Sequence, residues 1–149
     1  MLTRLVRDKM KDAAMAAAPI NPAWIEAGEP CARLAILAVS DDCATSTMLW
    51  DCTAGRFTWR YNCDETIYFL EGEVLIAVAG KPAKRYGAGD SIHFARGAVA
   101  TWTVETYVRK VAFNRSVLPR PFVAARRKAR SAYYWLRGRQ DGLGAPAFG

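Results

Sequence analysis

The stretch that decides the fold is GRFTWRYNCDETIYFLEG, residues 55–72. In its first half Phe57, Trp59 and Tyr61 alternate with Arg56, Thr58 and Arg60. A period of two belongs to a half-buried strand, whose successive side chains point to opposite faces. Asn62-Cys63-Asp64 is turn chemistry. Thr66-Ile67-Tyr68-Phe69-Leu70 gathers β-branched and aromatic residues, the composition of a second strand. Glu71-Gly72 then turns the chain into a third, Val74-Leu75-Ile76-Ala77-Val78.

The same rhythm continues on both sides. Upstream, residues 34–39 and 45–53 read as strands, separated by the turn Ser40-Asp41-Asp42. Met48, Trp50 and Cys52 share one face of the second, and Ala54-Gly55 turns it into the opening stretch. Downstream, Ala79-Gly80-Lys81-Pro82 closes a hairpin, and Lys84-Arg85-Tyr86 is a short exposed segment. Gly87-Ala88-Gly89-Asp90 is a tight turn before a strand at residues 91–94. Residues 100–105 and 107–114 form a last pair. Turn signals every eight to twelve residues predict an all-β sandwich or barrel. Outside it, the spacing of Leu2, Leu5, Val6, Met10, Ala13, Ala14 and Ala17 predicts a helix over residues 2–17, stopped by Pro19 and Pro22. Residues 21–32 read as a loop anchored by Trp24. Beyond Pro119 and Pro121, residues 122–139 read as a basic helix, and residues 140–149 as a flexible tail. The expected organisation is a helical arm (1–20), a barrel (21–118) and a basic tail (119–149).

Composition narrows the classes of function. The net charge is +7, but residues 119–149 carry 7 Lys or Arg against 1 acidic residue, while residues 1–118 carry 14 against 13. The barrel is near neutral, so the excess charge says little about it. The four cysteines, Cys31, Cys43, Cys52 and Cys63, lack C-x-x-C spacing. A chain of 149 residues can fold without disulfide staples, and its start does not resemble a secretion signal. Free thiols in a cytoplasmic protein are expected. No run of eighteen apolar residues suggests a membrane span.

Three segments carry a family resemblance: LWDCTAGRFTWRYNCDETIYFLEGEV (49–74), GAGDSIHFARG (87–97) and WTVETYVRKVAF (102–113). They resemble the small single-domain cupins, in particular the branch similar to ureidoglycine aminohydrolase and to the cupin of ethanolamine utilisation. The first cupin signature is G-x5-H-x-H-x(3,4)-E-x6-G. Anchored on Glu65 and Gly72, it places its two metal-binding histidines at Trp59 and Tyr61. The second, G-x5-P-x-G-x2-H-x3-N, fits Gly89 and Gly97 but meets Ala95, Ala100 and Val104 at its Pro, His and Asn. The resemblance implies a cupin double-stranded β-helix, a jelly-roll barrel, here with an N-terminal helix and a basic C-terminal helix. Of the four-ligand metal site it keeps only Glu65. No bound metal and no other cofactor is therefore expected, which removes the metal-dependent activities common among cupins.

By strand parity the matched positions Trp59, Tyr61, Glu65 and Ala100 point into the barrel, with Phe57, Ile67, Phe69 and Trp102. Trp50 and Cys52 join them if their face is inward. A lone carboxylate in an apolar barrel holds its proton more tightly unless it is paired, which would suit Glu65 to acid–base catalysis. The bland reading is a structural hydrogen bond to Tyr61 or Arg109. Arg109 and Lys110 alternate, so only one reaches the cavity; an inward Arg109 would clamp a carboxylate. His93, the only histidine, matches no ligand position and reads as structural. The expected ligand-binding set is Trp50, Trp59, Tyr61, Glu65, Trp102 and Arg109, around a small polar organic molecule. Similar cupins dimerise, so a homodimer is expected. The alternative is a non-catalytic binding or scaffolding module docked through Arg126, Arg127, Lys128, Arg130, Arg137 and Arg139 on an anionic membrane surface or a partner. Nucleic acid is disfavoured for lack of a motif. A third reading is a metalloenzyme with an atypical site around Glu65.

Overall fold

The computed structural model describes residues 10–116 and eight further residues, Pro121, Phe122, Ala124, Ala125, Lys128, Ala129, Ser131 and Ala132. Contacts divide the chain into two compact units, Met1–Val117 and Leu118–Gly149. The eight described residues of the second unit have helical backbone. The rest of the expected tail helix, with most of its arginines and the tail to residue 149, lies outside the described residues.

The described residues of the first unit form eight strands: β1 (Ala16–Ala17), β2 (Ile25–Ala27), β3 (Ala32–Val39), β4 (Thr45–Arg60), β5 (Asp64–Val78), β6 (Lys84–Gly87), β7 (Ser91–Phe94) and β8 (Val99–Arg115). All pairings are antiparallel, in the order β1-β3-β4-β8-β5-β6, with β2 on β4 and β7 on β5. Three strands are long enough to serve two half-sheets. In the first half, residues 45–53 of β4 lie beside 107–115 of β8 and 64–72 of β5, flanked by β3 and β7. In the second, residues 55–60 of β4 lie beside 99–104 of β8 and 75–78 of β5, flanked by β2 and β6. The core fills the space between the halves, from Trp50, Cys52, Ile67, Phe69 and Val108 on one to Phe57, Val74, Ile76 and Trp102 on the other. This is the expected jelly-roll barrel.

Several element boundaries differ from the expectation. Each position read as a turn at Ala54-Gly55, at Glu71-Gly72 and near residue 106 is a bend inside one strand, marked by a register shift. A bulge inserts residues without ending the pairing, and it re-aims the strand. In β4 the slip between Thr53 and Gly55 moves the inward face from Trp50 and Cys52 to Phe57 and Trp59. Residues 84–86, expected as a short exposed segment, belong with Gly87 to a strand paired with β5. Residues 25–27, expected as loop, pair with β4.

The N-terminal helix over residues 2–17 is also corrected where it can be seen. Residues 10–12 make one 3-10 turn, residues 13–15 are irregular, and Ala16 and Ala17 pair with Leu34 and Arg33. Residues 1–9 lie outside the described residues. Alanine is the best helix former, but intrinsic propensity is a weak force, and the unpaired edge of β3 offers backbone hydrogen bonds that override it. The segment continues inward, so that Ile20 is buried in the core.

Candidate functional site

The barrel holds a half-open cavity of about 270 Å³. Its walls are aromatic: Trp50 from the first half-sheet faces Phe57, Trp59 and Trp102 from the second. Phe57 and Trp102 stack at 6.2 Å, and Trp50 meets Phe57, Trp59 and Trp102 edge-on at 6.4, 6.2 and 6.0 Å. Interlocked rings of this kind rigidify a wall beyond their area of burial. Leu34, Met48, Ala112 and the segment Ala18-Pro19 complete the apolar lining. A second hollow of about 440 Å³ shares Met48, Trp59, Glu65 and Asn114 with the first and adds Trp24, Arg60, Tyr61, Cys43 and Cys63.

One charged pair lies inside. Lys110 Nζ donates to Glu65 Oε1 at 2.6 Å, with side-chain exposures of 7% and 11%. The ammonium also sits 5.0 Å from the ring centroid of Trp50 and 4.9 Å from that of Trp102, within cation–π range. Among the described residues, Glu65 and Lys110 are the only charged ones lining the first cavity. The carboxylate expected to stand alone among aromatics is therefore paired.

Tyr61 is buried and stacks on Phe94 at 4.1 Å. Trp102 Nε1 donates to its hydroxyl at 3.1 Å. Burial first, and then the charge of Glu65, push the Tyr61 phenol well above its ordinary range. Tyr61 thus remains a neutral phenol at neutral pH and is not a base. The same two causes raise Cys63, with Asp64 adding to them.

Of the residues expected to bind ligand, Trp50, Trp59, Glu65 and Trp102 line the first cavity, and Tyr61 lines the second hollow. Arg109 lines neither and is corrected. It lies opposite Asp51 and Glu71 on the other face of the sheet, where its Nε is buried without a hydrogen-bond partner. On that face Asp51 accepts from Arg33 at 3.0 Å and from the Tyr107 hydroxyl at 3.0 Å. Neighbouring residues on a strand face opposite ways, so Lys110 takes the inward place. The signal was present in the sequence: Ala100, Trp102, Lys110 and Ala112 have the same parity. Reading residues 100–105 and 107–114 as two strands broke that count.

The residues present do not fit a cupin metal centre. Trp59, Tyr61 and Ala100 fill the places of the three histidines, and the one retained ligand, Glu65, already holds an ammonium. Among the described residues no three His, Cys, Asp or Glu side chains come together as a metal-binding group. His93 pairs its Nδ1 with Thr66 Oγ1 at 2.9 Å on an exposed part of the sheet. The four cysteines are free. Among the described residues no helix is long and apolar enough to cross a membrane.

Comparison with known proteins agrees with this architecture. The family model for the EutQ-like cupin domain matches residues 39–112. The EutQ protein of Clostridium difficile aligns at 18% identity over 58% of this chain and 69% of its own, with a TM-score of 0.52. The putative ethanolamine utilization protein Q of Salmonella typhimurium aligns at 19% identity over 72% and 98%, with a TM-score of 0.54. A protein of unknown function from Pseudomonas syringae pv. tomato aligns at 23% identity over 70% of this chain, with a TM-score of 0.64; the match spans 45% of that protein. At such identities the likeness to these structures is one of fold. No curated protein matches the chain. With the jelly-roll pairing of its strands and the matched domain at its centre, the chain belongs to the cupin superfamily, in its EutQ-like branch.

Proposed function

We propose that this cupin binds a small polar organic molecule in its aromatic cavity without a metal ion, and that Glu65 moves a proton there. The observation that carries this reading is the Lys110–Glu65 pair facing the cavity. Desolvating two charges costs several kcal/mol per ion, and well-packed apolar residues often stabilise a core as well or better. A paired carboxylate and ammonium at the wall of a hollow are thus better understood as recognition groups than as packing. They offer a ligand an acceptor and a donor side by side, and Asn114 adds a neutral amide. The cavity, about 270 Å³, falls just below the usual range for drug-sized ligands, roughly 300–1,000 Å³. The ligand is correspondingly small.

The absence of a metal follows in this reading from the donor set. Three histidine positions are replaced by side chains that do not ligate well, and the ammonium of Lys110 supplies the positive charge opposite Glu65. Docking through the basic tail, the alternative reading, rests on residues that for the most part lie outside the described ones, and no observation favours it.

The test is a fluorescence titration that uses Trp50, Trp59 and Trp102 as reporters. Small alcohols, amides, aldehydes and ketones are titrated into the wild type and into Ala112→Leu, which fills the cavity. Saturable quenching by a member of this panel, lost in Ala112→Leu, is expected. No saturable response from any member, or a response equal in the two proteins, would overturn the reading.

A further inference from the structure

The ammonium of Lys110 has one hydrogen-bond acceptor, Glu65 Oε1. Its other two N–H bonds find no acceptor among the described residues; the nitrogen lies instead near the faces of Trp50 and Trp102 and borders the cavity. An amine in an apolar pocket beside a carboxylate is the arrangement that covalent capture of a carbonyl compound requires. We propose that Lys110 forms an iminium adduct with a small neutral aldehyde or ketone in the cavity, with Glu65 carrying the proton. This inference rests on the reading of the cavity as a small-molecule site.

The step balances without an external reagent. Glu65 takes one proton from the ammonium. The free Nζ attacks the carbonyl carbon, and a second proton passes from nitrogen to the carbonyl oxygen, giving a carbinolamine. Glu65 returns its proton to the hydroxyl, the C–O bond breaks, and water leaves as the nitrogen lone pair closes the C=N bond. Ammonium and carbonyl become iminium and water, with no change in net charge and no change of oxidation state.

The geometry holds the product as well as it holds the starting ammonium. The iminium keeps one N–H for Glu65 Oε1, and its positive charge stays beside the same two indole rings. The N–H bonds consumed are the one directed at Glu65 and one of the two without acceptors, and the remaining N–H takes over the bond to Glu65. The cavity lining selects the substrate class. A carbonyl compound with its own carboxylate would bring a second anion beside Glu65, and the described residues of the lining provide no second cation. A short, neutral carbon chain suits both the charge and the volume of about 270 Å³.

The test uses butanal and cyanoborohydride with the full chain at neutral pH, and follows butylation of each lysine by peptide mass mapping. Lys110 is expected to react roughly a hundredfold faster than the exposed Lys11, Lys81 and Lys84, the low end of what a positioned acid–base partner contributes. Lys110→Arg keeps the charge and is expected to lose the fast site. Modification of Lys110 no faster than the surface lysines, or a fast site that persists in Lys110→Arg, would overturn the proposal. The surface lysines are internal controls, so the wild-type measurement decides even if the variant fails to fold. Fluorescence titration with butanamide, which cannot form the iminium, separates the two readings. Binding of butanamide without rapid Lys110 labelling overturns the capture alone; neither binding nor labelling overturns both.

Discussion

At position 110 an ammonium buried among indoles is tolerable only because Glu65 and two ring faces surround it. Removing one partner strands the other charge. Lys110→Met is therefore expected to cost about 3–5 kcal/mol of stability. Adding Glu65→Leu to it is expected to recover most of that loss, because the uncompensated carboxylate is gone. Urea unfolding of the two single variants and the double variant gives the coupling directly. A cost below about 1 kcal/mol for Lys110→Met would match an exposed pair and contradict the buried one. Residue by residue, the sequence was most legible where a family spacing and strand parity agreed. Family spacing and parity both point Glu65, Trp59 and Tyr61 inward, parity alone points Trp102 inward, and all four line a hollow or the core. Arg109 was chosen for its chemistry, since guanidinium clamps carboxylates, while the parity of Trp102 pointed to its neighbour.

Among the elements, the long strands explain both what could be read and what could not. Alternation and β-branched runs revealed every segment of β4, β5 and β8. The bends between the segments carry Gly and polar residues, as true turns do, and only the pairing partner distinguishes a bulge from a turn. Gly72 lies at such a bend. Its φ is +73°, and a Cβ there would lie 2.0 Å from the Tyr107 carbonyl oxygen. Gly80 has a similar φ of +77°, but a Cβ there would meet nothing within 4 Å. Gly80→Ala is expected to cost about 1–2 kcal/mol, the backbone penalty alone. Gly72→Ala adds a backbone clash and is expected to cost several kcal/mol more, or to prevent folding. Thermal unfolding of the two variants compares them, and equal losses would mean that β5 does not bend against β8 at this point. The N-terminal arm mixed two signals: helical spacing of alanines against an edge of β3 that no local pattern announces.

For the molecule as a whole, two half-sheets closing on one aromatic core have a consequence for pH. Burial, with the charge of Asp51 adding to it, pushes the Cys52 thiol from an ordinary 9.0 up to about 12. Tyr61 is raised by burial and Glu65, and Tyr107 by burial and its hydrogen bond to Asp51. In each case the folded chain holds its proton more tightly than the unfolded chain. Their contribution to stability is thus complete below the unfolded values and is lost as pH rises through the folded ones. Urea midpoints are expected to fall as pH rises above about 9, and to fall less steeply in Cys52→Ala, which lacks the thiol that titrates near 12 in the folded chain. A midpoint that rises between pH 9 and 12 would contradict the buried, protonated side chains.

The same enclosed core makes the charge at its centre the main question about the protein. If Lys110 supplies the cation opposite Glu65, the barrel has no need of a metal, and its described residues offer no cluster of three His, Cys, Asp or Glu donors to hold one. The most direct measurement is the metal content of untagged protein by mass spectrometry, after purification without chelator and after incubation with manganese, iron, nickel and zinc followed by desalting, for the wild type beside Glu65→Ala. Less than a tenth of an equivalent of any metal, roughly the level of adventitious binding, is predicted in both proteins. Near-stoichiometric metal in the wild type that is lost in Glu65→Ala would contradict the account and make Glu65 a metal ligand.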